Sequence, residues 1–140
     1  MLLNPAVLTI YGSAFDNYFL QAHRVRNLIK SDFDDVFRQQ NVLKQPTSRS
    51  PITHSSLNVD LLVHLSAITT APLLSRPPSG TDGYVQDIMT VPASLAGLPA
   101  LSLPAGVAED GWPVGVSLVG QWGCDELLLR VGQLLQESSD

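Results

Sequence analysis

The chain has 140 residues, of which 44% are hydrophobic, and this is enough apolar material for one domain with a core rather than a disordered tail. A formal net charge of -5 with eight basic residues argues against direct binding of a nucleic-acid backbone. The single cysteine excludes an internal disulfide, the three histidines match no metal-ligand spacing, and no apolar run reaches the roughly 18 residues that span a bilayer. We therefore expect a soluble chain, and its first ten residues carry no recognisable targeting signal.

The first predicted element is a helix. Apolar residues recur three or four apart from Phe15 to Phe37, which is the strongest helical stripe in the sequence. Ser31 and Asp34 repeat a helix-start signal and indicate a kink or a second helix, and Asp34 is placed to pair with Arg38 one turn later. Arg26 falls inside the apolar stripe, where a structural ion pair or a snorkelling contact is favoured over a ligand contact.

Two irregular segments enclose a short strand. The polar stretch Gln45–Asn58 has no apolar period and predicts a surface loop. The residues Val59–Leu65 are typical of a strand that is covered on both faces. The segment Ala71–Gly83 contains three prolines and two glycines, so it cannot form a regular element.

The segment Tyr84–Pro104, YVQDIMTVPASLAGLPALSLP, predicts two short helical pieces. A proline is tolerated only in the first turn of a helix, so Pro92 places the second piece after a cap at Thr90, and Gly97 then ends it. Asp87 falls at the end of the first piece among apolar neighbours. A lone carboxylate in such a place is either a ligand-binding group, because an isolated charge near a core is costly, or a helix-end or loop cap.

The last third of the chain predicts two strands and a helix. The runs Ala100–Pro104 and Val114–Val119 indicate adjacent antiparallel strands joined by a hairpin loop, and Asp125–Gln136 is an amphipathic helix with two acids at its start. Strands mixed with helices predict an α/β layer. A sheet of only three strands would leave long apolar edges, so we expect further polypeptide to cover it.

Residues for nucleophilic catalysis are not evident. The sequence has no Gly-x-Ser-x-Gly elbow and no Gly/Ser-rich run, and turn formation or capping explains Ser13 and Ser79. Lys30 and Lys44 lie on a charged helix face and in a polar loop, neither of which makes a lysine a base. Cys124 lies at a helix start, but two neighbouring acids disfavour a reactive thiol.

Four blocks of the sequence resemble the amidase signature family, in the order in which that family has them. The third block is the most specific and resembles the transamidating branch, whereas the fourth resembles the family at large. The blocks are FDNYFLQAHRVRNLIKSDFDDVF, VDLLVHLSAITTAP, YVQDIMTVPASLAGLPALSLPAG and WPVGVSLVGQWGCDELLLRVGQLLQ.

The resemblance implies the C-terminal part of the amidase signature fold, a mixed sheet flanked by helices that is incomplete alone, with residues 1–140 as a fragment of one amidase domain. The family's triad of a serine, a second serine in a cis peptide and a lysine would then lie outside this chain, which we expect to be inactive by itself. The branch releases ammonia from glutamine, and a partner subunit uses it to amidate glutamate on tRNA. That subunit uses ATP and Mg, so no cofactor, metal or catalytic residue is expected here.

By the same resemblance, Asp87 matches the acid that holds the α-amino group of glutamine. The arginine that would hold its α-carboxylate is expected shortly before Phe15, yet the residues Met1–Ile10, MLLNPAVLTI, contain none. A truncated copy or a faulty gene model would account for that.

The expected partners are glutamine and the B- and C-type subunits of the complex, with tRNA only indirectly and no membrane. The polar insertion Thr47–Asn58 and the form of the second block are similar to mitochondrial members, so we expect the mitochondrial matrix, with the cytoplasm as the alternative. Two other functions stay open. One is an amidase for small amides, in which Asp87 would be structural, and the other is a non-catalytic derivative that serves binding or assembly.

Overall fold

A computed structural model of the protein describes residues 18–43, 58–75 and 82–138. Three strands and four α-helices, with one 3-10 helix, make up these parts of the chain. The elements are α1 (Leu20–Val36), β1 (Leu61–Leu65), α2 (Asp82–Val85), the 3-10 helix (Gln86–Met89), α3 (Val91–Ala96), β2 (Ala100–Val107), β3 (Pro113–Gly120) and α4 (Asp125–Glu137).

The sheet has the strand order β1-β3-β2, and the hairpin predicted between its last two strands is confirmed. Both pairings of β3 are antiparallel, with Val63 and Leu101 opposite Leu118 on its two sides. The predicted α/β class is confirmed, although within the described residues the only parallel pairing is an isolated bridge between Phe37 and Val59. The second half of the central strand, residues 117–120, is buried among the described elements, with Leu118 only 1% exposed.

Strand β2 runs three residues beyond its predicted end at Pro104. A proline is tolerated there because β2 is an edge strand, and the register shifts between Pro104 and Gly106. Gly106 has φ 130°, a conformation that favours glycine.

Helices cover the two faces of the sheet. On one face, Phe37 at the end of α1 and Ala93 of α3 pack with Val119 in the main apolar cluster. On the other face α4 lies against β2 and β3. Gly132 permits this close approach, because a Cβ atom at that position would collide with the side chain of Leu101.

Helix α1 continues through the second start signal, so Ser31 begins no new helix. The predicted ion pair between Asp34 and Arg38 is wrong. The helix ends at Val36 and the chain turns extended at the next residue, which directs Arg38 to Asp60 at 2.7 Å instead. Arg26 makes a structural contact, as expected, but through a hydrogen bond from Nε to the carbonyl of Leu95 at 2.7 Å.

The segment before β2 has the predicted break. Pro92 lies in the first turn of α3, and Gly97 ends that helix with φ 74°. Thr90 occupies the N-cap position, but its hydroxyl donates to the carbonyl of Asp87 at 3.3 Å instead of capping. The first predicted piece is divided into α2 and the 3-10 helix.

Much apolar surface is left open by the described residues. Val63 of β1 is 65% exposed, so the prediction that this strand is covered on both faces is wrong at Val63 within the described residues. Tyr18 and Leu28 of the first helical segment are also exposed. Among the described helices, none is long and apolar enough to cross a membrane.

Candidate functional site

The predicted site residue Asp87 lies in the first turn of the 3-10 helix, and its side chain is exposed. The premise that this carboxylate sits near a core is wrong for the described residues, because its neighbours Tyr84 and Ile88 are themselves 77% and 60% exposed. The alternative role, that of a helix cap, is filled by the backbone carbonyl of Asp87 and not by its carboxylate. The carbonyl of Asp87 accepts from the amide of Thr90 at 3.1 Å, whereas no hydrogen bond or ion pair joins its carboxylate to a described residue.

The 3-10 helix is tied to the loop that follows β1. The amide of Gln86 donates from Nε2 to the hydroxyl oxygen of Thr69 at 2.6 Å, and that hydroxyl donates to the carbonyl of Thr70 at 3.2 Å. The hydroxyl of Thr70 then donates to Oδ2 of Asp110 at 2.6 Å, at the β2–β3 turn. The residue beside Asp87 is thus joined by consecutive hydrogen bonds to the hairpin.

Asp110 anchors the far end of this series of hydrogen bonds. Its other carboxylate oxygen accepts from the amide of Trp112 at 3.1 Å. The hydrogen bond from Thr70, followed by that from Trp112, lowers the pKa of Asp110 below its usual value, because both donors stabilise the charged form. The turn therefore holds an ionised carboxylate at neutral pH.

A shallow groove of about 480 Å³ lies beside these residues. Its wall is the loop that ends β1, together with Gln86 and the start of β3, and its lining residues are Leu65–Pro72, Gln86 and Pro113–Gly115. The loop contributes mostly small and apolar side chains, which suits the walls of a small-molecule site better than its reacting groups.

Three serines that no sequence motif connects meet on the sheet beside this groove. Ser117 hydrogen-bonds to Ser66 at 2.7 Å and to Ser102 at 2.9 Å, and Ser66 lies 3.4 Å from Ser102. The hydroxyls bond to one another and, within the described residues, to no basic side chain. The cluster therefore lacks the nucleophile–base pair that covalent catalysis requires. The alternation of side chains along a strand shows which residues share a face with Ser102 or with Ser117. It does not show that these two residues lie opposite each other, which follows only from the register of β2 and β3 in the structure.

The remaining candidates have structural roles or lie elsewhere. Cys124 is buried, its thiol donates to Gln39 at 3.1 Å, and burial raises the pKa of that thiol, so a reactive role is disfavoured. Lys30 lies half-buried on α1 beside a polar pocket. The candidates Ser13, Ser79 and Lys44, and the segment expected to hold the arginine, lie outside the described residues.

A buried polar network joins the end of α1 to the segment before α4. Gln121 is fully buried, donates from Nε2 to Asp34 at 3.1 Å and accepts from the amide of Trp122 at 2.8 Å. Asn41 donates to the same oxygen of Asp34 at 3.3 Å. These groups bond to one another, so the network fixes the packing of the layer and offers no reacting group.

Comparison with known proteins gives the class. The profile of the Amidase family matches residues 8–129, so the chain belongs to the amidase family. This match begins at residue 8, whereas the first of the four resembling blocks begins at Phe15.

Individual relatives are more specific. The chain is 51% identical to the mitochondrial A-type subunit of the glutamyl-tRNA(Gln) amidotransferase from Mycosarcoma maydis, over 97% of this chain and 25% of that protein. It is 42% identical to the mitochondrial A-type subunit from Coccidioides posadasii, over 92% of this chain and 28% of that protein. The chain thus spans about a quarter of the length of these relatives.

Solved structures agree with this assignment. The crystal structure of the A-type subunit of the glutamyl-tRNA(Gln) amidotransferase from Thermotoga maritima matches 89% of this chain and 23% of its own, with 27% identity and a TM-score of 0.66. A 6-aminohexanoate cyclic dimer hydrolase matches 58% of this chain and 20% of its own, with 33% identity and a TM-score of 0.51. The fold is therefore a small part of a larger amidase fold, as the four blocks predicted.

Proposed function

We propose that the chain is the C-terminal part of the glutamine-hydrolysing subunit of a glutamyl-tRNA(Gln) amidotransferase, with residues 1–140 forming part of one amidase domain. The observation that carries the proposal is the similarity of nearly the whole chain to A-type subunits, together with an exposed carboxylate in its most specific segment. In this role the segment supplies sheet strands, one wall of the substrate pocket and Asp87. The ammonia released from glutamine passes to a partner subunit that converts Glu-tRNA(Gln) to Gln-tRNA(Gln).

Asp87 binds the α-amino group of glutamine in this proposal. A free amino acid carries an ammonium group, and a carboxylate that accepts its hydrogen bonds is a strong and specific partner for it. The carboxylate of Asp87 makes no hydrogen bond or ion pair with the described residues, so the described fold gives its charge no partner. In this proposal the ammonium group of glutamine is the binding partner of the Asp87 carboxylate.

The chain supplies no cofactor site and no catalytic residue in this account. The bond-breaking serines and lysine belong to polypeptide outside these 140 residues, and ATP and Mg belong to the partner subunit. The partners are the B- and C-type subunits or their equivalents, and tRNA is met only through them. The mitochondrial relatives support a location in the mitochondrial matrix, with the cytoplasm as the alternative.

The test uses the full-length protein, meaning the longest product that contains this sequence, assembled with its partner subunits. Asp87→Asn removes the charge but keeps the shape. Loss of a charge-assisted hydrogen bond costs roughly 1.5–3 kcal/mol, so we expect the KM for glutamine to rise about tenfold to a hundredfold. The matched control is Glu109→Gln, which makes the same exchange at an exposed acid of the hairpin turn. Equal glutamine kinetics in both variants and in the unmodified protein would remove the site assignment.

A second candidate is an amidase that acts on small amides, which the similarity to the 6-aminohexanoate cyclic dimer hydrolase favours. In that case Asp87 is structural. Activity of the full-length protein on simple amides, without release of ammonia from glutamine, would support this alternative and contradict the first.

A further inference from the structure

The 3-10 helix that carries Asp87 has one side-chain link to a distant part of the described chain. That link is the hydrogen bond from Gln86 to Thr69, which joins residues 17 positions apart at 2.6 Å. The carboxylate of Asp87 makes none, and Ile88 is 60% exposed. Gln86 is therefore the side chain that ties this helix to the loop after β1 within the described residues.

This hydrogen bond restrains the residue that immediately precedes Asp87. Successive side chains of a 3-10 helix are about 120° apart, so a side chain fixed at Gln86 fixes the direction in which its neighbour leaves the helix. A helix of only four residues has few bonds of its own to resist rotation. Thr69 is in turn held, because its hydroxyl donates to the carbonyl of Thr70, whose own hydroxyl is bound by the carboxylate of Asp110.

We propose that Gln86 and Thr69 are positioning residues for the ligand that Asp87 binds. This inference rests on the proposed function, which makes that ligand glutamine. The hydrogen bond holds the carboxylate of Asp87 toward the ammonium group before substrate arrives, so binding does not have to order the helix. Its loss lowers affinity for glutamine without changing the groups that break the amide bond.

The test compares Thr69→Val with Thr69→Ser in the full-length protein with its subunits. Valine matches threonine in shape but cannot accept the hydrogen bond, whereas serine can. We expect Thr69→Val to raise the KM for glutamine about threefold to tenfold with kcat preserved, and Thr69→Ser to keep the unmodified KM. Activity with ammonium chloride as the amide donor bypasses the glutamine site and should be unchanged in both. Gln86→Met introduces a side chain of similar length that has no hydrogen-bond donor, so it should raise the KM for glutamine as Thr69→Val does. If Thr69→Val does not fold, Gln86→Met takes its place in the test.

Three outcomes would overturn the inference in distinguishable ways. If Thr69→Val and Gln86→Met leave the KM within twofold while Asp87→Asn raises it, the positioning role is wrong and the proposed function stands. If Asp87→Asn also leaves the KM unchanged, both are wrong. If Thr69→Val lowers glutamine-dependent and ammonia-dependent activity equally, the bond stabilises the fold in general and positions nothing.

Discussion

The buried network at Gln121 allows a prediction whose size follows from the structure. Replacing Gln121 by Glu keeps the shape of the side chain and its acceptor for the amide of Trp122. It also replaces the Nε2 donor by an oxygen at the position now 3.1 Å from the carboxylate of Asp34. Two full charges at that separation repel by about 5 kcal/mol at an effective dielectric constant near 20.

The new pair can escape that repulsion by holding one proton. Keeping a glutamate with an ordinary pKa near 4.3 protonated at pH 7 costs about 4 kcal/mol, which limits the loss. The folded-state pKa of the variant glutamate is therefore raised above its unfolded value. Its destabilising effect is absent below the unfolded pKa and grows by about 1.4 kcal/mol per pH unit as the pH rises toward the folded pKa. We expect Gln121→Glu to cost about 4–5 kcal/mol at pH 7 and little more than 1 kcal/mol near pH 4.5.

A surface residue provides the matched control. Gln133 also donates from Nε2 to a carboxylate, that of Glu137 at 2.8 Å, but both are exposed on α4. Gln133→Glu makes the same exchange where water screens the charges and the side chains can separate, so we expect a loss of about 0.5 kcal/mol or less. Urea unfolding of the full-length protein at several pH values, followed by circular dichroism, gives both numbers. Equal losses in the two variants, or a loss at Gln121 that does not grow with pH, would refute the reasoning.

Three further predictions concern other described residues. Because burial raises the pKa of the Cys124 thiol, iodoacetamide should modify it at least tenfold more slowly in the folded protein than in urea, and equal rates in a mass-spectrometric time course would contradict this. Gly97→Ala should destabilise by about 1 kcal/mol in urea unfolding, because φ is 74° there although the space beside it is open, and Gly97→Asn should cost less in the same assay. Because the pKa of Asp110 is lowered, the contribution of this carboxylate to stability is present above its unfolded pKa and is lost as the pH falls through its folded pKa. The midpoint of an NMR titration of Asp110 should therefore be higher in Thr70→Val, which removes the hydrogen bond from Thr70. An unchanged midpoint would mean that this hydrogen bond is absent.

Local sequence signals were enough for most elements of the fold. The amphipathic stripe predicted α4 within one residue, and the alternation of apolar runs predicted the β2–β3 hairpin. Gly97 and Pro92 marked the two ends of α3, because each acts through its own backbone conformation. Such signals need no knowledge of distant residues.

The errors came from interactions between distant parts of the chain. Arg38 was assigned to Asp34 by helical spacing, but it pairs with Asp60, 22 residues later. Gln121 bonds to Asp34 across 87 positions, and no periodicity indicates such a partner. The contact of Gln86 with Thr69 is of the same kind, so the sequence suggested a candidate acid but not the hydrogen bond beside it.

The environment of Asp87 was mistaken for a related reason. Apolar neighbours in sequence suggested a core, yet Tyr84 and Ile88 are exposed in the described residues. Burial depends on the polypeptide that lies against a segment, and this chain spans only about a quarter of the length of its relatives. The assignment of Asp87 as a site residue therefore rests on the family resemblance and not on the physical argument from burial.

A crystal structure of the full-length protein with glutamine bound tests the central proposal most directly. The account predicts that a carboxylate oxygen of Asp87 lies within about 3 Å of the α-amino nitrogen of glutamine. Glutamine bound with its α-amino group on other residues, and Asp87 directed away from it, would contradict the account.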